Sequence, residues 1–580
     1  MERARKNGST PAVSRRVERQ EEPEVQNRRD ALGIVIEGSL SRGLVMRLAA
    51  DKSVEDLRAG KFLVVEGQRN RFFAILGDVE LAAIHKDILL NPPLPEERLR
   101  RAVLAGTSAY GLVHLRPMIL LSIDEEEDAE QIAKADDELL PVRTVPSHFS
   151  AVYEATQEDV SRVFGAEGEG KPYFYVGTPL DMDTPVCINM ERWIERSNAI
   201  FGKSGTGKTF LTRLCLCGAI KARNAVHLIF DMHNEYGWEG RSETAQGRKV
   251  RGLKQYFGSQ IVIATLDRES SHTRGVRPDF EVKIGYKEVE IDDILLLQDE
   301  LNLNETARET CYLLERIYGK NWLGELLNLD SFAIKELCAE YNIHSGALSA
   351  LQRKLTSLIR DCGDFLVPEL PPGEDPIQRI VSELQRGHDV VLEFGRHDKP
   401  RQYMLVANIL TRRLHDLYVR ETEKALGGQG SEPKHLIVVI EEAHKFLSPS
   451  LAHQTIFGTI AREMRKYHMT LLIVDQRPSQ IDRETLSQVG TRICCLLDDE
   501  SDIDAVLTGI MGASDLRTVL ASLETRQQAL IFGHAVPMPV VVRTRTYDDD
   551  AFRQAMMSSV VGSPQQNGSA DFERERDRDF

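Results

Sequence analysis

The chain has 580 residues, 42% of them hydrophobic, and a formal net charge of −16. That length exceeds one compact domain, so roughly two to four domains are predicted. No window approaches about 18 consecutive apolar residues, which excludes a membrane-spanning helix. The acidic balance excludes a protein that coats nucleic acid with its whole surface, but it leaves room for a basic stripe or a basic-lined pore. The opening MERARKNGST has no apolar core of the kind a secretion signal needs. The eight cysteines include no CxxC pair and read as buried thiols of a cytoplasmic protein.

Residues 1–30 mix both charge signs with Gly, Ser, Pro and Gln and read as a disordered arm. From 31 to 150 come short Val-, Ile- and Phe-rich runs with glycines between them, such as ALGIVIEG, KFLVVEG and RFFAILGDVELA. These predict a small N-terminal β-barrel, with IDEEEDAEQ (123–131) as an exposed acidic stretch. Residues 151–195 are predicted as connecting strands, YFYVGTP and VCINM among them. From 196 to 280 the pattern alternates strand and helix: AIF, a Gly-rich turn, a helix, then AVHLIFD and QIVIATLD. Residues 281–385 turn to helical periodicity (DDILLLQDEL, ARETCYLLERIY, GALSALQRKLTSLIRDC) and read as a helical insertion. Strands return over 386–550 as DVVLEFG, HLIVVIEE, TLLIVDQ and two closing β-runs, and 551–580 reads as a disordered tail. Strands alternating with helices specify an α/β fold with a parallel sheet.

Gly202, Lys203, Ser204, Gly205, Thr206, Gly207, Lys208 and Thr209 spell G-x-x-x-x-G-K-T between an apolar strand and a helix. Together with Phe210 they form the candidate ATP-binding loop. The glycines let successive N–H groups point at phosphate oxygens, and the helix N-terminus adds positive potential. Lys208 supplies a charge at the β/γ-phosphates, and Thr209 offers its hydroxyl to Mg²⁺. A partner strand must deliver a carboxylate. HLIVVIEEAHKF (435–446) is an apolar run ending in two glutamates. Glu441 is assigned to the Mg²⁺ shell and Glu442 to the general base. Gln476, at the end of TLLIVDQ, is placed to sense the γ-phosphate or orient water. Asp231, His233 and Glu235 follow the strand AVHLIFD and are read as lining the site at the carboxyl edge of the sheet. Arg465 or Arg462, in IAREMRKYHMT, is the candidate for an arginine completing a neighbouring subunit's site. Lys445, Arg274 and Arg277 are the candidate DNA contacts.

This set of motifs resembles the HerA family of hexameric DNA translocases, within the wider HerA/FtsK group of P-loop ATPases. The resemblance spans about residues 31–548 and rests on the barrel before the P-loop, AIFGKSGTGKT, IFDMHNEYG, VVIEEAHKF, IAREMRKYHMTLLIVDQRPSQI and LETRQQALIFGHAVPMPVVVRTR, in that order. Members typically carry Asp where Glu441 stands and Gly where Asn234 stands. The resemblance implies a docking barrel, a RecA-like motor with a helical insertion, ATP and Mg²⁺ as cofactors, six identical subunits around double-stranded DNA, and a partner nuclease of the NurA type. An ATP-driven translocase or helicase in DNA end processing is the leading expectation. An ATPase platform for an antiphage effector, a nuclease or a sirtuin-like enzyme, is the alternative.

Overall fold

The computed structural model describes residues 30–104, 108–122, 139–241, 249–453, 455–510, 513–524 and 527–558. The arm over 1–29, the acidic stretch at 123–131 and the tail from 559 onward lie outside the described residues. No described helix is long and apolar enough to cross a membrane.

Six antiparallel strands close into the N-terminal barrel. Their order is Gly43–Leu48, Gly33–Ser39, Ala151–Glu154, Phe62–Glu66, Asn70–Ala83 and Ala109–Ser122, with the first and last paired. Alternation along each strand sends Val35, Met46, Leu63, Val65, Phe72 and Val113 to the inner core. The opposite face of the same strands presents Phe62, Phe73 and Ile119 to the rest of the chain. There the Phe62 ring meets Phe164 at 5.5 Å, which seats the barrel on the rest of the chain.

The boundary at 150 requires correction. Ala151–Glu154 completes the barrel ring, and Tyr173–Pro179 and Val186–Asn189 join the edge of the large sheet instead of linking two domains. A four-residue strand bearing little hydrophobic alternation gives too short a pattern to reveal its partner.

That sheet has twelve strands. Eight are parallel, in the order Phe280–Glu281, Ile261–Thr265, Asp389–Glu393, Ala225–Asp231, His435–Glu441, Met469–Asp475, Asn198–Phe201 and Thr491–Cys494. Gln528–Gly533 and Val540–Thr544 extend it antiparallel. The central strands are buried along their whole length, as parallel strands covered on both faces require. Helices Glu305–Tyr318, Trp322–Asn328, Ser331–Tyr341 and Ser345–Cys362 form the insertion, and Leu314, Leu326, Leu351 and Leu355 bury its shared face.

The chain end also departs from expectation. Asp550–Ser558 is a helix that drives Phe552 and Met556 into the core, with the Phe552 ring 5.1 Å from Tyr547 and 5.5 Å from Tyr256. Arg553 Nε donates to Asp548 at 2.8 Å. Two buried apolar residues four apart anchor this nine-residue helix, but they are too few to stand out from a tail.

His435 opens the strand that ends in the paired glutamates, its Nε2 2.9 Å from Thr470 Oγ1. Burial pushes its imidazole down to about 4, and His468 and His227 push in the same direction. In the unfolded chain the group titrates near 6.5. The fold therefore favours the neutral form, and the stability it contributes is present above about pH 6.5 and is lost as pH falls toward 4. Replacing His435 with Gln is expected to flatten the fall in the urea unfolding midpoint between pH 7 and 4.5.

Candidate active site

The P-loop begins where Phe201 leaves the sheet. The Gly202 N–H donates to Asp475 O at 3.3 Å and the Lys203 N–H to Leu496 O at 3.1 Å, so the loop is pinned to the strands on both sides. Gly205 and Gly207 take φ of 78° and 92°. A Cβ on either would meet nothing within 4 Å, so the backbone conformation, not crowding, demands glycine there. Thr206 is buried, its hydroxyl donating to Lys203 O at 2.7 Å, so this side chain shapes the loop and is not free for a ligand. The Lys203 ammonium pairs with Asp498 at the rim. Lys208 starts the helix Lys208–Ala222, and its Nζ rests 3.4 Å from Gly202 O. Burial lowers its ammonium from the usual range, while Glu442, Asp475 and Glu441 work against that shift.

The loop forms one wall of a cavity of about 570 Å³. Lys203, Ser204, Gly205, Gly207, Lys208, Thr209 and Phe210 face Glu441, Glu442 and Gln476 across it, with His233, Asn234 and Glu235 at the side. The strand order explains the meeting. Met469–Asp475 lies between the P-loop strand and His435–Glu441, so the carboxyl ends of all three converge.

The two glutamates are held in different ways. Glu441 is buried, and its Oε1 accepts from Tyr236 OH at 2.7 Å, while Oε2 has no partner. Burial raises its carboxyl to about 8, although the Tyr236 hydrogen bond and Lys208 pull it down. The Tyr403 hydroxyl clamps its backbone, accepting from Glu441 N–H at 3.0 Å and donating to its carbonyl at 3.1 Å. Glu442 takes φ of 49°, a left-handed conformation that costs a side-chain-bearing residue of order 1–3 kcal/mol. The turn aims its carboxylate into the cavity, where Gln476 Nε2 donates to Oε1 at 2.9 Å.

Asp475 locks that turn. Its carboxylate accepts the His444 N–H at 2.7 Å and the Arg477 N–H at 2.8 Å, and His444 Nδ1 lies 3.0 Å away. Burial alone would raise this carboxyl, but the His444 and Arg477 hydrogen bonds outweigh it and hold the group below the usual range.

Two protein families match the chain: "Helicase HerA, central domain" over residues 174–414 and "HAS barrel domain" over 32–132. The DNA double-strand break repair helicase HerA of Saccharolobus solfataricus is 32% identical over 400 residues, covering 68% of this chain and 72% of the relative. The chain belongs to the HerA helicase family. The relative of the same name from Sulfolobus acidocaldarius is 24% identical over 503 residues, covering 85% of this chain and 90% of its own. Among solved structures, the conjugative coupling protein TrwB aligns at 12% identity, with a TM-score of 0.44, over 68% of this chain and 94% of its own. Family membership makes the chain a P-loop ATP hydrolase, and nucleotide is its ligand.

The other predicted residues fall in several places. His233 and Glu235 line the cavity, but Asp231 does not. Its carboxylate is buried and accepts the N–H groups of Glu235 at 2.7 Å, Tyr236 at 2.8 Å and Gly237 at 3.4 Å, so it folds the turn and touches no ligand. Asn234 takes φ of 57°, which asparagine tolerates better than most residues. Arg274 is committed to buried Glu393 at 2.6 Å and does not hold out a free cation, whereas Arg277 is exposed and Lys445 partly exposed. Arg462 Nη1 donates to Ala452 O at 3.1 Å, and Arg465 reaches Glu195 at 3.4 Å. Both precede the strand Met469–Asp475, and neither is among the residues lining the cavity at that strand's far end. Neither reaches the nucleotide cavity of its own chain.

Sequence reasoning missed Tyr236, Asp475, His444 and Arg213. Arg213 is buried on the P-loop helix and lines the cavity, its guanidinium hydrogen-bonded to Glu235 O. Each had only position as a signal: all four lie within six residues of a motif residue.

Proposed function

We propose that the chain is one subunit of a homohexameric ring that translocates on double-stranded DNA with ATP hydrolysis and acts with a partner nuclease in DNA end processing. The observation that carries this reading is the meeting of a P-loop with Glu441 and Glu442 across one cavity, Glu442 being held by Gln476. Mg²⁺ fits the donors present. The partnerless, buried Glu441 Oε2 and the Thr209 hydroxyl offer hard oxygen atoms on facing walls. When bound there, the ion neutralises charge building on the β- and γ-phosphate oxygens.

The rest is the work of side chains. Lys208 holds the phosphates, and the loop N–H groups and helix N-terminus orient them. Glu442 takes the proton from the attacking water, and Gln476 fixes the carboxylate that does so. Arg465 or Arg462, neither of which lines its own cavity, serves the adjacent subunit. The acidic chain as a whole repels DNA, so contact is confined to the pore, with Arg277 and Lys445 as candidates there.

A motor must release every base it passes, so its affinity comes from phosphates. Binding to duplexes of unrelated sequence is expected to agree within a few-fold at fixed salt. It is also expected to weaken by about 10³-fold or more between 50 and 200 mM salt, if six or more phosphates are neutralised. A strong preference for one sequence at fixed salt contradicts the reading.

A further inference from the structure

The segment from Asp231 to Gly237 is a largely buried turn held by side-chain hydrogen bonds. The Asp231 carboxylate gathers three consecutive N–H groups. Asn234 ties the same turn to Gly395 through two hydrogen bonds of 3.0 Å, one from its Nδ2 to the carbonyl and one from the Gly395 N–H to its Oδ1. The product of this folding is the placement of Tyr236. Its side chain is fully buried, and the hydroxyl donates at 2.7 Å to Glu441 Oε1. The Glu441 backbone is fixed independently by Tyr403. The only freedom left to Glu441 is its side-chain torsions, and the Tyr236 bond removes it. One carboxylate oxygen is thus occupied. The other, Oε2, is buried without a partner in a residue that lines the cavity. A buried carboxylate oxygen left unmatched costs free energy, and such atoms mark places where a ligand completes the set.

We propose that Tyr236 is a positioning residue for the divalent cation: it anchors Glu441 Oε1 so that Oε2 is presented to Mg²⁺ or to one of its waters. This rests on the reading of Glu441 as part of the Mg²⁺ shell. The arrangement depends on the length of glutamate. An aspartate at 441 falls short by about one C–C bond, roughly 1.5 Å, and from 2.7 Å that breaks the hydrogen bond. Tyr236 therefore matters only when residue 441 is Glu.

Manganese serves as the probe, because its free ion is read directly by electron paramagnetic resonance without turnover. Full-length protein is loaded with a non-hydrolysable ATP analogue and titrated with Mn²⁺ as the parent, Tyr236→Phe, Glu441→Asp, the double variant and Glu441→Gln. Tyr236→Phe removes one oxygen and keeps the ring. It is expected to weaken Mn²⁺ binding by roughly 10-fold, the usual scale for losing a group that orients a metal ligand, and to leave metal-free nucleotide affinity unchanged. In the Glu441→Asp background the same change is expected to do nothing. The Mg²⁺ concentration for half-maximal ATPase activity is expected to follow the Mn²⁺ affinities.

If Tyr236→Phe leaves Mn²⁺ affinity within two-fold of the parent while Glu441→Gln weakens it, the inference is overturned and the metal role of Glu441 stands. If Glu441→Gln has no effect either, the underlying reading falls. A loss of the same size in the Glu441→Asp background, or an equal loss of metal-free nucleotide binding, means that Tyr236 acts through folding alone and also overturns the inference. Should Tyr236→Phe fail to fold, 3-fluorotyrosine at 236 keeps the ring and sharpens the donor; it must then shift Mn²⁺ affinity, and an unchanged affinity overturns the proposal.

Discussion

Glu442→Gln protein will hold ATP and release phosphate about 10²–10⁴-fold more slowly than the parent. The substitution keeps side-chain volume and keeps an oxygen for Gln476 Nε2 to meet, so the left-handed turn at 442 and its lock through Asp475 and His444 persist. What disappears is a base that accepts the proton of water. Rapid-quench measurement of a single turnover, beside equilibrium binding of labelled ATP, separates the two effects. Glu441→Gln is expected to behave differently, with turnover restored in part by raising Mg²⁺, because its lost charge belongs to the cation's surroundings. If the two variants exchange these behaviours, the division of labour between the carboxylates is reversed.

The second large effect belongs to Arg465 or Arg462. Neither reaches its own cavity, and Arg465 stands exposed at the opposite end of the strand that Gln476 follows. A ring of Arg465→Ala subunits is expected to bind ATP and hydrolyse it on the order of 10³-fold more slowly, the scale on which arginine fingers act. Lys208→Ala subunits are inactive for another reason, since they lack the charge on the phosphates. Mixing the two rebuilds competent sites wherever an intact P-loop faces an intact arginine, and part of the lost ATPase activity is expected to return. Subunit exchange seen by native mass spectrometry, with no activity returning for either arginine, assigns the segment before Met469 to a plain basic surface.

Much of this was legible in the sequence because the relevant signals are local. The P-loop needs glycines and a lysine at fixed spacing, and Gly205 and Gly207 show the positive φ that spacing implies. The Glu441 strand needs an unbroken apolar run, and it is buried from Leu436 onward. The barrel was visible as alternation over several strands. Its closing strand was not, because Ala151–Glu154 is too short to carry a pattern and its partners lie about 90 residues or more back in the chain.

The site failed to be legible wherever a residue acts through another. Asp231 ends a strand at the carboxyl edge, a position that predicts a ligand contact, yet its charge is consumed by three backbone N–H groups. Tyr236 and Asp475 work by holding Glu441 and His444, and no spacing rule announces a hydrogen bond across 205 residues of chain. Arg274 sat in a basic loop, and only the fold reveals Glu393 beneath it.

The central claim is that hydrolysis in this cavity drives movement along duplex DNA. It is tested most directly by asking whether the purified protein strips streptavidin from the biotinylated interior of a linear duplex. The account predicts displacement by the parent only with ATP and Mg²⁺, none with a non-hydrolysable analogue, and none by Lys208→Ala at any ATP concentration. Steady hydrolysis on the same duplex with streptavidin left in place, or displacement that persists in Lys208→Ala, would contradict it.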